Sequence, residues 1–78
     1  MIKILFFANL REIVKQRQLE LSLETPLSVR QLATRLEQTH LGLSLSGSLC
    51  AINEQYAEPD YLIQSGDTVA FFPPVSGG

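Results

Sequence analysis

The sequence predicts an α+β domain in which a mixed sheet packs against one main helix, and three observations carry that prediction. The stretches from Ile2 to Ala8 and from Thr68 to Phe72 are nearly continuous apolar runs, as befits strands in the middle of a sheet. The stretch from Gln18 to Glu24 alternates strictly. Leu19, Leu21 and Leu23 face a core, while Gln18, Glu20, Ser22 and Glu24 face water. Helical spacing over a length able to cover a sheet occurs once, where Val29, Leu32, Ala33 and Leu36 fall at i, i+3, i+4 and i+7.

The elements follow in order. After the first strand, Asn9 is a candidate N-cap for a short helical turn from Leu10 to Lys15. Thr25-Pro26 breaks the second strand. Ser28, with Gln31 three residues on, has the spacing of a capping box and opens the main helix. That helix ends near His40, with Gly42 just beyond as a stop. Leu49 to Ile52 reads as a third strand, Asn53-Glu54-Gln55 as a turn and Tyr56-Ala57 as a short return. Pro59 to Ser65 is a connecting segment with room for a short helical turn, Ser65-Gly66-Asp67 is a turn, and Thr68 to Phe72 is the last strand. A single helix must cover one face of the sheet, and the two most apolar strands, first and last, belong at its centre. This is a β-grasp, ubiquitin-like arrangement spanning residues 1–78 as one domain.

Composition narrows the function classes. A chain of 78 residues that is 45% hydrophobic is one small globular domain. Six basic and eight acidic residues give a net charge of −2 and no basic footprint, so no nucleic acid partner is expected. The longest uncharged run, Leu41 to Asn53, is too short and too broken by Gly and Ser for a membrane span. The N-terminus lacks the pattern of a signal peptide, which points to the cytoplasm. One cysteine, Cys50, excludes a disulfide framework and a cysteine-rich metal or iron–sulfur site, and no metal is expected.

Side-chain parity separates two sheet faces. Ile2, Ile4, Phe6 and Ala8 share one, and Lys3, Leu5 and Phe7 the other, which Lys3 marks as outer. By the same test Val69 and Phe71 point in, while Thr68, Ala70 and Phe72 point out. Leu5, Phe7, Ala70 and Phe72, joined by Tyr56, therefore form an apolar patch on the face the helix does not cover. Such a patch reads as a protein-binding surface, unless the segment from Leu10 to Lys15 or the loop from Leu41 to Leu45 covers it. The second strand, whose outer residues are all polar, keeps the patch local.

No catalytic constellation is present: no paired nucleophile and histidine, no metal-ligand spacing and no phosphate-binding glycine loop. His40, in the last helical turn, suits a capping or surface role. Cys50 suits a small core hydrophobe better than a nucleophile. Glu54, Glu58 and Asp60 lie in loop-like sequence and are most simply solvated. The reactive group is expected at the C-terminus. Pro73 and Pro74 hold the chain extended beyond Phe72, Val75 and Ser76 follow, and Gly77 and Gly78 make a slim tip able to enter a narrow channel. From Phe72 the tip reaches about 20 Å, at ~3.3–3.6 Å per residue. An ionised carboxylate is a poor electrophile and must be activated, most directly as an acyl-adenylate made from ATP. It can then accept an amine, a thiol or a sulfide.

The start, Ile2-Lys3-Ile4-Leu5-Phe6-Phe7-Ala8 followed by Arg11-Glu12, and the end, Gly66-Asp67-Thr68-Val69-Ala70-Phe71-Phe72-Pro73-Pro74-Val75-Ser76-Gly77-Gly78, resemble the small, sulfur-carrying subunits of molybdopterin synthase, the MoaD family. Thiamin-pathway sulfur carriers share the fold and the Gly-Gly but usually lack the Phe-Phe-Pro-Pro-Val run. The resemblance implies adenylation of the Gly78 carboxylate by an E1-like enzyme that uses ATP and magnesium, then conversion to a thiocarboxylate. Sulfur would pass to cyclic pyranopterin monophosphate in the active site of the large synthase subunit, building the molybdopterin dithiolene within a heterotetramer. It implies that Phe7, Tyr56 and Phe72 are docking contacts, that this chain binds no cofactor, and that the catalytic side chains belong to the large subunit. Other readings are a sulfur carrier for another pathway, a ubiquitin-like modifier, and a plain interaction module.

Overall fold

The computed structural model describes residues 1–22 and 26–73. The chain runs β1 (Ile2–Phe6), α1 (Ala8–Val14), β2 (Gln18–Leu21), β3 (Leu27–Ser28), α2 (Val29–Thr39), β4 (Leu49–Ile52), β5 (Gln55–Tyr56), β6 (Leu62–Ile63) and β7 (Thr68–Phe72). Five strands make one sheet in the order β2-β1-β7-β4-β5, and β3 pairs with β6 in a separate two-stranded ladder. The two apolar strands lie side by side at the centre as expected. β1 and β7 run parallel, with Ile4 opposite Val69 and Phe6 opposite Phe71. β2 and β4 flank them antiparallel.

The inward parity is as read from the sequence. Ile2, Ile4, Phe6, Val69 and Phe71 are all buried, and they join Leu32 and Leu36 of α2, Leu10 and Val14 of α1, and Leu43 and Leu45 of the following loop in one core. Leu19 and Leu21 pack against that core from β2. Leu23, Glu24 and Thr25 lie outside the described residues. The capping box forms: the Ser28 Oγ accepts the Gln31 N–H at 3.1 Å, and the Gln31 Oε1 accepts the Ser28 N–H at 2.9 Å. Two further amides at the start of α2 find partners in the chain before β6, with Val29 N–H donating to the Tyr61 carbonyl and Arg30 N–H to the Pro59 carbonyl, both at 3.0 Å.

Four local expectations are corrected. β1 ends at Phe6, and Ala8, expected on the inner face, is exposed as the first residue of α1 with φ 54. α1 starts at Ala8 with Phe7 as its N-cap and no side-chain cap bond, so Asn9 does not cap it. Its phase is set by Leu10 and Val14, which must reach the core together; their burial outweighs the roughly 1–2 kcal/mol that a left-handed residue costs. The turn after β4 is the two-residue pair Asn53-Glu54, with φ 51 and 72, and the return strand is Gln55–Tyr56. The connecting segment after Pro59 holds β6 instead of a helical turn. Leu62 and Ile63 pair with Ser28 and Leu27, and Ile63 is fully buried. Two residues are too few to show an alternation in sequence.

Leu32→Ala removes a fully buried side chain beneath the sheet and is expected to lower the unfolding free energy by about 2–5 kcal/mol. Glu54→Gly relieves a left-handed backbone and is expected to raise it by roughly 0.5–1 kcal/mol, after the entropy cost of glycine. Urea unfolding midpoints of the two variants against the parent chain check both signs.

Candidate functional site

The outer face is built by strand register. Leu5 of β1 sits opposite Ala70 of β7, Ala70 opposite Ala51 of β4, and Ala51 opposite Tyr56 of β5, so one apolar row crosses four strands. Leu49 stands opposite Phe72 in the next row. The small alanines form a floor and the aromatic rings a rim. The Phe7 and Phe72 rings meet edge to face with centroids 6.5 Å apart, and Tyr56 lies 5.8 Å from Phe72 on the other side. Leu5, Phe7, Ala51, Asn53, Glu54, Thr68 and Ala70 line a shallow depression in this face.

Neither α1 nor the loop after α2 covers the patch, because Leu10, Val14, Leu43 and Leu45 are all spent on the inner core. Phe7 is 47% exposed and Tyr56 76%, while Leu5, Ala70 and Phe72 are half-buried. The predicted contacts Leu5, Phe7, Tyr56 and Phe72 are thus brought to one surface. Beside them β7 ends at Phe72, followed by half-buried Pro73. Pro74, Val75, Ser76, Gly77 and Gly78 lie outside the described residues. Parity could have added Leu49 and Ala51, which alternate with the buried Cys50 and Ile52, but sequence reasoning did not place β4 beside β7.

Residues 4–78 match the ThiS family. The chain belongs to that family. It is 40% identical to the molybdopterin synthase sulfur carrier subunits of Escherichia coli K12 and of Haemophilus influenzae KW20, each comparison covering 100% of both chains. The resemblance to the MoaD family is therefore borne out. Among solved structures it is similar to the small archaeal modifier protein 1 from Methanosarcina acetivorans, with a TM-score of 0.79 and 25% identity over 99% of this chain and 95% of that one. The fold is the ubiquitin-like β-grasp.

The remaining chemistry of this ThiS-family domain is quiet. Among the described residues no group of three or more His, Cys, Asp or Glu side chains is placed to hold a metal ion, and no helix is long and apolar enough to cross a membrane. Cys50 is buried on the inner face opposite Phe71, and burial pushes its thiol up from 9.0 to about 11. That places it among core hydrophobes, as its strand position suggested. Glu54, Glu58 and Asp60 are all exposed, as read; the Asp60 carboxylate accepts from Arg30 at 3.0 Å, and Glu54 also lines the depression.

Stability should decline in alkali partly through Cys50. Below pH 9.0 the thiol is protonated in both states; between pH 9.0 and about 11 the unfolded chain releases a proton that the folded chain keeps, so stability falls as pH rises across that window. Cys50→Ala is expected to flatten the decline, and urea midpoints of both proteins across the same pH range read the difference.

Proposed function

We propose that this chain is the sulfur-carrier subunit of a molybdopterin synthase, with the Gly78 carboxylate as its working group. The observation that carries the reading is the full-length 40% identity to two relatives of that name, together with a family match that runs through Gly77 and Gly78. The apolar outer face beside Phe72 supports it, because a carrier must dock a partner before its tail can be used.

The Gly78 carboxylate, with a usual pKa of about 3.3–3.7, is ionised at neutral pH. An E1-like enzyme, using ATP and magnesium, joins it to the α-phosphate and releases pyrophosphate. Hydrosulfide then displaces AMP from the acyl carbon and leaves a thiocarboxylate. The tail, from Pro73 through Pro74, Val75 and Ser76 to the glycines, enters the large synthase subunit. There the thiocarboxylate sulfur displaces an oxygen substituent from a side-chain carbon of cyclic pyranopterin monophosphate, the C–O bond breaking as the C–S bond forms. Water then cleaves the resulting thioester to restore the Gly78 carboxylate and leave the sulfur on the pterin. The dithiolene holds two sulfurs, so two carriers or two loading cycles serve each product. Leu5, Phe7, Tyr56 and Phe72 dock the large subunit, and ATP is consumed by the activating enzyme, with no cofactor held by this chain. A second reading, a ubiquitin-like modifier joined through Gly78 to lysines, draws on the likeness to the archaeal modifier protein.

Intact mass after incubation with the activating enzyme, ATP, magnesium and a sulfur source is the first test. Exchange of one oxygen for one sulfur at Gly78, followed by transfer to the pterin precursor, is the expected result. Isopeptide adducts to lysine would favour the modifier, and an unchanged mass with an active enzyme would sink the carrier reading. Phe72→Arg places a charge in the patch and is expected to weaken large-subunit binding by more than about 30-fold, the scale of a hot-spot aromatic. Deleting Gly77 and Gly78 should leave that binding intact while abolishing sulfur delivery, as titration calorimetry and product assay will show.

A further inference from the structure

Of the aromatic residues on the outer face, Tyr56 has the weakest support from its own strand. Phe72 belongs to a central strand and Phe7 directly follows another, whereas β5 is two residues at the sheet edge. It is paired through Ala51–Tyr56 and Ile52–Gln55, with one further backbone bond from the Ala57 N–H to the Cys50 carbonyl. A ladder that short does not hold itself in water. What steadies it is the turn before it. Asn53 is tied to the start of β7 at three points. Its N–H donates to the Thr68 carbonyl at 2.9 Å, its Oδ1 accepts the Thr68 N–H at 3.0 Å, and its Nδ2 donates to the Asp67 Oδ1 at 3.0 Å. The second Asp67 oxygen accepts the Gln64 N–H at 2.9 Å, which anchors the carboxylate in turn.

We infer that Asn53 and Asp67 form a clamp that positions Tyr56 in the docking surface. This rests on the reading of the outer face as the surface that docks the large subunit. Both are positioning residues, acting through the β4–β5 hairpin. Asparagine suits the place because it tolerates a left-handed backbone and its amide offers a donor on one side and an acceptor on the other. Besides this clamp, the hairpin meets β7 through the β4 ladder and through the Tyr56–Phe72 ring contact, which has no directional bond to fix the turn. The Asn53–Asp67 pair thus adds a side-chain tie between the strand that leads to the tail and the turn that carries Tyr56.

A double-mutant cycle separates positioning from direct contact and from general loosening. Affinity for the large subunit is measured for the full chain, Asn53→Gly, Tyr56→Ala and the double variant; glycine keeps the left-handed turn while removing both side-chain bonds. Asn53→Gly is expected to weaken binding about tenfold alone, and less than about twofold in the Tyr56→Ala background. An equal loss in both backgrounds would show that Asn53 acts independently of Tyr56 and overturn the inference. Amide exchange supplies a readout that needs no partner. The Ala57 N–H, which donates to the Cys50 carbonyl at 2.9 Å across the hairpin, should exchange about tenfold faster in Asn53→Gly and in Asp67→Ala. The Phe6 N–H, bonded to the Arg17 carbonyl at 3.0 Å, should hold its rate. Unchanged Ala57 exchange in both variants also overturns the clamp. Absence of binding by the parent chain would defeat the docking reading, and the exchange arm would still decide whether the clamp holds the hairpin.

Discussion

The parallel pairing of β1 with β7 is the constraint on which the rest of this structure depends. Two parallel neighbours cannot be joined by a tight turn, so the chain between them has to leave the sheet and return. That excursion contains α2, the β3–β6 ladder and the antiparallel partners on either side. Parallel pairing also locks side-chain parity. With Ile4 opposite Val69 and Phe6 opposite Phe71 facing in, Leu5 and Ala70 have to face out together. A one-residue slip would turn the core residues to water and the patch residues into the core.

The two faces of the sheet meet different fates because the helical material is limited. α2 supplies Val29, Leu32 and Leu36 to the inner face, and α1 adds Leu10 and Val14 to that same face. The outer face is left to its own residues. At the β2 edge it is polar, as at Gln18 and Glu20, both exposed, while the β5 edge carries Tyr56. Across β1, β7 and β4, beyond the Lys3–Thr68 pair, it is apolar, and the small side chains of Ala51 and Ala70 leave a depression between larger rims. An open apolar patch lowers the solubility margin of a chain of this size, and the proposed docking of a partner would account for its presence.

The family shown by comparison and the geometry of the outer face speak to different steps of the same proposal. The relatives bear on what the C-terminal carboxylate carries. The surface bears on how a partner holds the body of the domain. Cys50 shows why the thiol in the chain is no rival to that carboxylate: it sits against Phe71 with its proton held more firmly than usual, and a protonated, buried sulfur is a poor nucleophile.

Much of the fold was legible in the sequence, because it rests on strong local signals. The capping box at Ser28 and Gln31, the stripe of Val29, Leu32, Ala33 and Leu36, and the parity of β1 and β7 are all repeated over enough residues to exceed noise. The docking candidates Leu5, Phe7, Tyr56 and Phe72 followed from that parity. What only the tertiary structure decided were features whose driving contacts lie far away in the chain. β6 exists because Leu62 and Ile63 meet Ser28 and Leu27, a pairing no local pattern of two residues can announce. Ala8 adopts a left-handed backbone because Leu10 and Val14 have to reach the core, against the local preference of alanine. Asn53 looked like a turn residue, and its bonds to Asp67 and Thr68 arise only when β4 lies beside β7. Local periodicity sets which residues can face the core; the register between distant strands sets which of the others come to share a surface.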